Sequence, residues 1–328
     1  MKAMIGQRMV AVILVILACC VGNSLGKERE FPVKPINLYL GYPPGGALVY
    51  SATIICEGMK KYLNQPVIVN SKPGAAQAIA AEFVKNSNPD GYTLFYGSHA
   101  ELISKVAKEG PMLKFRLEDL DSLGAAPYSP YTLTVNVESL WKTIEDLIAA
   151  SRKSPGALVN GSSGAGTPTH MLGELFSRKA GIALNHIPFI GAGPANTALL
   201  GGHVHIGFMS VATYGALINP GGGLRTLAVF DRKRNPSLPD VPTAMERGYD
   251  IVLASWFGLQ GPKGLPKEVR ETLTQGFERT AKDPKVISAL ERIGFNITYR
   301  SPEEQDKKIQ EEYKLYLDIW EKAGFIKK

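Results

Sequence analysis

A glycine-rich turn that joins a strand-like segment to a helix-like one constrains the fold of this chain most, and it occurs three times. Residues 36–40 (INLYL) run through residues 42–46 (YPPGG) into an amphipathic stretch at 47–63. Residues 160–167 (NGSSGAGT) and 190–194 (IGAGP) repeat the arrangement in the middle of the chain. Such a turn leaves backbone N–H groups unpaired beside the positive end of a helix dipole. Each turn can therefore bind an anion, although a purely structural turn has the same signature.

The order of strand-like and helix-like segments indicates an α/β protein. Strand-like runs occur at 67–69, 92–96, 133–137, 206–209 and 224–230, and they alternate with helix-like stretches such as 75–85, 144–152 and 169–179. Right-handed crossovers between such strands predict parallel sheets with helices on both faces. A chain of 328 residues also exceeds what one core usually holds, so we predict two doubly wound α/β domains.

The last third of the chain has a different pattern. Residues 266–282, 285–293 and 302–322 are charged and amphipathic, with no glycine-turn chemistry between them, and they predict three helices used for packing. In open parallel sheets a ligand binds outside the carboxyl ends of the strands. The glycine turns therefore meet only if two domains face each other across a cleft.

The first residues predict export. Lys2 and Arg8 precede an apolar run at residues 9–18, which is the pattern of an export signal. This run of about ten residues is too short to span a membrane, which takes about 20. The signal contains these two positive charges and no acid, so its removal lowers the formal net charge from +7 to +5.

Two ways of processing the signal are compatible with its sequence. Ser24 and Gly26 are small residues spaced for cleavage before Lys27, which makes residues 1–26 a signal peptide and the mature chain periplasmic. The residues up to Cys19 also fit a lipoprotein signal, in which that cysteine is acylated. The interpretation as a cleaved signal is preferred, with the lipid anchor as its alternative.

The composition of the mature chain argues against several classes of protein. Lysine and arginine are interspersed with acids and form no basic run with interleaved aromatic residues, which disfavours nucleic-acid binding. Cys56 is the one cysteine outside the signal, so no disulfide or thiolate metal site can form within one mature chain.

The glycine motifs do not match the known nucleotide-binding or hydrolase patterns. The turns at 164–166 and 191–193 lack the third glycine of a dinucleotide site, and no Walker-type Gly-Lys-Ser/Thr sequence occurs. Ser163 is followed by Gly164 and Ala165, so the second glycine of a G-x-S-x-G motif is misplaced. We predict no cofactor.

The histidines give little support for catalysis or metal binding. His170 falls in the first turn of a predicted helix, where it is more ordinarily a cleft-facing hydrogen-bonding residue than a base. His203 and His205 share one face of a strand, but no carboxylate or cysteine lies beside them in the sequence. We predict neither a catalytic residue nor a metal site. A hydrolase using Ser163 or Ser210 with His170 or His99 as its base is a minor alternative.

The chain resembles the periplasmic substrate-binding proteins of tripartite tricarboxylate transporters, also called Bug receptors, over nearly all of its mature length. The resemblance is carried by motifs in a fixed order, at 42–46, 70–75, 89–94, 161–170, 187–194, 200–202, 238–248 and 256–262. It implies a bilobal, type II-like periplasmic binding protein, a monomer that closes like a Venus flytrap on a small organic anion. The family delivers such ligands to membrane permease subunits and is not enzymatic. A receptor that presents its ligand to a signalling partner is the alternative.

The resemblance also implies a division of the chain and a set of ligand contacts. We expect residues 27–127 and 255–328 to form domain 1 and residues 128–254 to form domain 2, with the hinge between them. Backbone N–H groups and hydroxyls at the strand ends suit a carboxylate. The expected ligand-binding residues are Tyr42, Pro44, Gly45, Gly46, Ala47, Leu48, Val49, Ser98, His99, Ser162, Ser163, Gly164, Gly166, Thr167, His170, Gly191, Ala192, Gly193, Met209 and Ser210.

One departure from the family pattern bears on ligand choice. Members commonly carry an acid three residues after the second glycine of the first turn and an arginine four residues further on, where this chain has Val49 and Thr53. With Leu48 and Tyr50 beside it, Val49 predicts a more apolar pocket floor. The hypothesis is an aromatic or branched mono- or dicarboxylate without an amino group. Alternatively, Val49 packs inward and water mediates the contact with the ligand.

Overall fold

The computed structural model of the protein describes residues 31–42, 47–212 and 222–326. The predicted signal peptide at 1–26, including Cys19, lies outside the described residues, as do the predicted ligand residues Pro44, Gly45 and Gly46. None of the helices in the described part of the chain is long and apolar enough to cross a membrane.

Nine strands within these ranges form one mixed sheet. The strands are β1 (Ile36–Leu40), β2 (Val67–Ser71), β3 (Thr93–Ser98), β4 (Leu120–Asn136), β5 (Val159–Ser162), β6 (Asn185–Pro188), β7 (Ile206–Ser210), β8 (Leu224–Val229) and β9 (Ala254–Pro262). They are arranged in the order β2-β1-β3-β9-β4-β7-β5-β6, with β8 also paired to β4. Most of the predicted strands coincide with observed ones, while β4 is far longer than expected and β9 was not predicted.

Nine helices of eight residues or more accompany the described strands. The three C-terminal helices predicted from the sequence are all present. The helices are α1 (Ala47–Leu63), α2 (Ala78–Lys85), α3 (His99–Glu109), α4 (Ile144–Lys153), α5 (Pro168–Ala180), α6 (Ala192–Leu200), α7 (Lys267–Ala281), α8 (Pro284–Glu291) and α9 (Pro302–Lys322).

The long strand β4 divides the sheet into two halves. Up to Pro130 it pairs with β9, next to β3, β1 and β2, and from Tyr131 onward it pairs with β7 and β8. We call these the first half (β1–β3, β9 and the start of β4) and the second half (β5–β8 and the end of β4). The chain changes halves within β4 and again just before β9, beside the boundaries expected at 127/128 and 254/255. The division into two domains itself stays a prediction.

The expectation of purely parallel sheets is correct for only part of the structure. The strands β1, β2 and β3 are mutually parallel, as are β5, β6 and β7. However, β9 runs antiparallel to both β3 and β4, and β7 and β8 run antiparallel to β4. The reason is that β4 passes directly from one half to the other and β9 returns beside it in the opposite direction.

The predicted helix at 75–85 begins three residues late. Residues Ala75–Gln77 form a separate 3₁₀ turn in which all three residues have positive φ, and α2 starts at Ala78. Gln77 is fully buried, and its Cα lies so close to Gly41 that a Cβ on that glycine would clash. Tight packing against the end of β1 therefore replaces the first helical turn.

Helix α9 packs against both halves of the sheet. It begins with a capping box in which Ser301 and Glu304 exchange hydrogen bonds, and Pro302 occupies the first turn. Its buried residues Tyr316 and Trp320 belong to the same core as Phe208 of β7. Each such buried aromatic side chain contributes roughly 1.5–3 kcal/mol. The C-terminal helix therefore links the two halves outside the sheet.

Candidate ligand-binding site

The carboxyl ends of the two sets of parallel strands face each other near the middle of β4. Strands β1 and β3 run in the same direction as β4, because β9 lies antiparallel to both β3 and β4. Strands β5, β6 and β7 run in the opposite direction, since β7 is antiparallel to β4. The strand ends therefore converge from both halves. This is the position in which a ligand binds to an open α/β sheet.

One hydrogen bond joins the two edges directly. The hydroxyl of Ser104 on α3 donates to the carbonyl oxygen of Gly166, at 2.8 Å. Lys108, one turn further along α3, packs over the same glycine, since a Cβ there would lie 2.7 Å from its Cδ. The loop after β5 thus rests against the helix that follows β3.

The edge of the first half is held together by Gln77, which the sequence analysis did not single out. Its side-chain amide donates to the carbonyl of Ser98 (2.9 Å) and its side-chain oxygen accepts from the N–H of the same residue (3.1 Å). The Ser98 hydroxyl also lies 2.9 Å from that of Ser255 at the start of β9. Tyr42, the last described residue before the first glycine turn, is partly buried at this edge.

His99 is part of the interior. Its ring stacks on Trp256, with 4.4 Å between centroids and 13° between planes, and the residue is 1% exposed. Its Nε2 lies 2.9 Å from the side-chain amide of Gln305 on α9. Burial lowers the pKa of His99 from 6.5 to about 3, so the imidazole is neutral. The described contacts of His99 join α3, β9 and α9, and a role for it in ligand binding stays a prediction.

The loop after β5 is hydrogen-bonded within itself. The N–H of Ser163 donates to the hydroxyl of Thr169 (3.0 Å), and the N–H of Gly164 donates to that of Ser162 (3.2 Å). The N–H of Gly166 donates to Nδ1 of His170 (3.1 Å). The hydroxyl of Thr167, the N-cap of α5, donates to the carbonyl of Gly164 (2.8 Å). A ligand that used these N–H groups would have to displace the present acceptors.

A pair of stacked histidines supports this loop. The rings of His170 and His186 lie 3.7 Å apart and nearly parallel, at 6°. Trp320 and Phe325 pack against His170 from the C-terminal region. Burial, followed by the neighbouring His170, lowers the pKa of His186 to about 4.

Ser163, one of the two serines considered from the sequence, has its hydroxyl on another hydroxyl group. The two oxygens of Ser163 and Thr169 lie 2.9 Å apart, while a serine–histidine contact joins the Ser162 hydroxyl to Nε2 of His186 at 2.6 Å. Ser162 is only 1% exposed and also donates to the Gly164 carbonyl. Among the residues that the structure describes, no group of three or more His, Cys, Asp or Glu is placed to hold a metal ion.

The third glycine turn is open to solvent. Ile190 is 97% exposed, and an added Cβ at Gly191 or Gly193 would meet no atom within 4 Å. Helix α6 starts at Ala192 with no side-chain cap, and the N–H of Gly191 donates to the Ser163 carbonyl (3.2 Å). An uncapped helix start facing open space is suited to an anion.

Two other predicted contacts lie at the end of β7. Met209 and Ser210 are both buried there, with Ser210 opposite Tyr131 of β4. They belong to the strand edge where the two halves meet.

The residues predicted to form an apolar floor divide between core and surface. Leu48 is buried with the core of the first half, and Val49 packs partly against the same core. Tyr50 is 59% exposed. These contacts agree with the alternative in which Val49 packs inward. Of the three side chains, that of Tyr50 is the most exposed to solvent. Ala47, also predicted as a contact, is the first residue of α1.

The structure adds one acid that was not considered from the sequence. Glu101 lies in the first turn of α3, one turn before Ser104 and on the same side of the helix. It is partly buried, and burial raises the pKa of its carboxyl group from 4.5 to about 7. The sequence signal that could have pointed to Glu101 is an acid three residues beyond the end of a predicted strand.

Comparison with known proteins identifies the family. The model of the tripartite tricarboxylate transporter family receptor matches residues 52–325. A protein encoded in the gbd 5′ region of Cupriavidus necator is 33% identical over 304 residues, which cover 91% of this chain and 90% of that protein. BugT of Bordetella pertussis is 28% identical over 319 residues, covering 97% and 98%.

Solved structures show the same fold. One described as a periplasmic transporter is 30% identical and superposes with a TM-score of 0.82, covering 90% of this chain and 99% of its own. Two Rhodopseudomonas palustris proteins, each 24% identical, share the fold: MatC with bound malate (TM-score 0.77, covering 88% and 99%) and Rpa4515 with adipate (TM-score 0.81, covering 90% and 99%). This chain belongs to the tripartite tricarboxylate transporter receptor family of periplasmic solute-binding proteins.

Proposed function

We propose that this protein captures a small organic carboxylate between the two halves of its sheet and delivers it to a tripartite tricarboxylate-type permease. The family match over residues 52–325 carries the proposal. The convergence of strand ends from both halves supports it, because a ligand held there touches both halves at once. Closure then takes place where β4 and β9 pass between the halves, near Tyr131 and Ala254.

The proposed contacts combine an uncapped helix start with hydroxyl groups. The start of α6 near Gly191 offers a partial positive charge to a carboxylate. The hydroxyl of Ser98 and the loop at 162–167 lie at the facing edges. We propose the twenty residues expected from the sequence as the region of contact, with Glu101 added. No covalent chemistry is assigned to any of them, and the protein acts as a monomeric binding protein.

We propose a ligand with an apolar part and no amino group. Tyr50 in the first turn of α1 and Ile190 in the turn before α6 expose large apolar side chains that such a ligand would cover. Aromatic or branched mono- and dicarboxylates have this character. Malate and adipate, which are bound in proteins of the same fold, are informative comparison ligands.

Calorimetric titration of the mature protein with benzoate, a branched dicarboxylate, citrate, malate, adipate and amino acids tests this function. A matched pair of variants locates the carboxylate. In Gly193→Asp a new carboxylate enters open space in the first turn of α6, and Gly193→Asn adds the same volume without charge. Charge repulsion should weaken binding at least tenfold in the aspartate variant, while the asparagine variant stays within about threefold. Equal effects in both variants would show that the carboxylate of the ligand does not bind at the start of α6.

We propose that the chain is exported and cleaved before Lys27, with acylation at Cys19 as the alternative. The mass of the protein recovered from its own cells distinguishes the two, because a lipidated chain begins at Cys19 and carries the mass of its acyl groups. Delivery is tested by ligand uptake in cells lacking either this protein or the permease subunits. Uptake that persists without the binding protein would contradict the transport role.

A further inference from the structure

A second cavity lies where the two halves of the sheet join, on the face covered by α9. Its volume is about 290 Å³. Tyr128 of β4 and Trp256 of β9 form part of its wall, together with residues that follow β8 and residues from α9. None of the twenty residues expected to bind the carboxylate lines it.

Five charged side chains line this cavity, and they carry an excess of positive charge. The lining residues include Arg232, Arg300 and Lys308 against Asp231 and Glu312. At neutral pH this leaves one positive charge uncompensated. A positively charged pocket with several N–H donors favours an oxyanion.

The two acids already have partners. Glu312 accepts hydrogen bonds from Nε1 of Trp256 (2.7 Å), from Nζ of Lys308 (2.6 Å) and from the hydroxyl of Tyr316 (3.3 Å). Asp231 accepts from the backbone N–H of Arg232 (2.7 Å). Burial, followed by the charge of Asp231, raises the pKa of Tyr128, so that its phenol stays protonated.

The two arginines have no such partner. No carboxylate of the described residues forms an ion pair with the guanidinium group of Arg232 or of Arg300. Lys308, by contrast, is paired with Glu312. The cavity therefore presents two guanidinium groups that are not held in an ion pair, with the Asp231 carboxylate beside them and a net charge of one positive unit, and guanidinium groups of this kind recognise phosphate-like anions.

The arginines belong to different halves. Arg300 exchanges two backbone hydrogen bonds with Ala125 of β4, at 3.0 and 2.9 Å, which fixes it to the first half. Arg232 follows β8, where the N–H of Phe230 donates to the carbonyl of Tyr131 (2.8 Å), which fixes it to the second half. A molecule held by both arginines would connect the halves across the hinge.

We propose that this cavity binds a small divalent oxyanion, phosphate or sulfate, between Arg232 and Arg300. A bound anion restrains movement of one half against the other and is therefore coupled to closure of the carboxylate cleft. By linkage, the carboxylate changes the affinity for the oxyanion by the same factor as the oxyanion changes that for the carboxylate. The binding site itself does not depend on the function proposed above.

Calorimetry of the mature protein in a phosphate- and sulfate-free buffer tests the site, with phosphate and sulfate titrated separately at constant ionic strength. The variants are Arg232→Gln and Arg300→Gln, each of which removes one guanidinium and keeps a polar side chain. Arg292→Gln is the matched control, because that arginine is exposed, contacts only a helix carbonyl and lies away from the cavity. Circular dichroism confirms that each variant folds.

We expect saturable binding of at least one of the two anions. The anion that binds more tightly identifies the class of oxyanion that the cavity recognises. Each cavity variant should weaken this binding at least tenfold, and the control should change it less than twofold. Absence of saturable binding to wild type, or an equal loss in Arg292→Gln, would overturn the proposal. The carboxylate cleft is tested by its own titrations, so the proposal for the oxyanion cavity and the proposal for the cleft can be contradicted independently.

Discussion

Replacing Glu101 with glutamine should stabilise the protein in a pH-dependent way. The carboxyl group lies in the first turn of α3, and burial raises its pKa from 4.5 to about 7. The folded state therefore holds its proton more tightly than the unfolded state does. Folding is not penalised below pH 4.5, and the penalty grows as the pH rises through the range from 4.5 to about 7.

The size of this effect follows from the pKa. Each pKa unit corresponds to about 1.4 kcal/mol, so the ionised carboxylate costs the folded state about 3 kcal/mol above pH 7. Glutamine has nearly the same shape and cannot ionise. The free energy of unfolding of Glu101→Gln minus that of wild type should therefore increase by about 2–3 kcal/mol between pH 5 and pH 8.

Urea unfolding followed by tryptophan fluorescence at pH 5, 6, 7 and 8 measures this difference. Glu268→Gln is the control, because Glu268 is also an acid in the first turn of a helix but is exposed. The helix-dipole contribution of the lost charge is then similar in both variants. A Glu101→Gln difference that stays within about 0.5 kcal/mol across the pH range, or that matches the control, would show that burial does not raise the pKa of Glu101 in this way.

Three further predictions concern stability and reactivity. An alanine at Gly294 (φ +84°) would place its Cβ 3.0 Å from the backbone of Ala212, whereas Gly248 (φ +85°) faces open space. Gly294→Ala should therefore lower the free energy of unfolding in urea by about 1–2 kcal/mol more than Gly248→Ala does. Equal losses in the two variants would contradict the close contact at Gly294. Burial lowers the pKa of His186 to about 4, so on acidification the unfolded state binds a proton at this histidine before the folded state does. The free energy of unfolding should therefore fall as the pH drops from 6.5 towards 4, and it should fall less steeply in His186→Gln. Parallel pH profiles for the two proteins would contradict the lowered pKa. Burial raises the pKa of the Cys56 thiol to about 12, so a thiol-specific reagent should label the mature protein only in denaturant, and rapid labelling of the folded protein would show that the thiol is accessible.

The sequence predicted the elements with strong local patterns and missed those that depend on long-range pairing. The helix at 302–322 has a capping residue, a proline in its first turn and regular apolar spacing, and it is observed with the same bounds. By contrast, β4 starts at Leu120, well before the predicted 133–137. Pro127 and Pro130 argue against a strand there, since proline lacks the N–H that a ladder needs. The register of β4 against β9 shifts between Ala125 and Tyr128, which accommodates Pro127.

The candidate site was located in outline, and its individual contacts were not. Glycine turns after strands mark where a ligand can approach, because this depends on local backbone geometry. His99 and Trp256, whose rings stack, are far apart in the sequence, so this contact could not be predicted from the residues that flank either of them. The same holds for Gln77, which bonds to Ser98 across the sheet edge. Spacing along the chain carries no information about such distances.

Calorimetry on the Gly193 pair tests whether an organic carboxylate binds at the meeting point of the two halves. We expect saturable binding of at least one apolar carboxylate to the wild-type protein. We also expect at least tenfold weaker binding in Gly193→Asp and nearly unchanged binding in Gly193→Asn. Tight binding of amino acids with no response to apolar acids would contradict the proposed ligand class. Failure of every carboxylate to bind would contradict the proposed function as a carboxylate-binding protein.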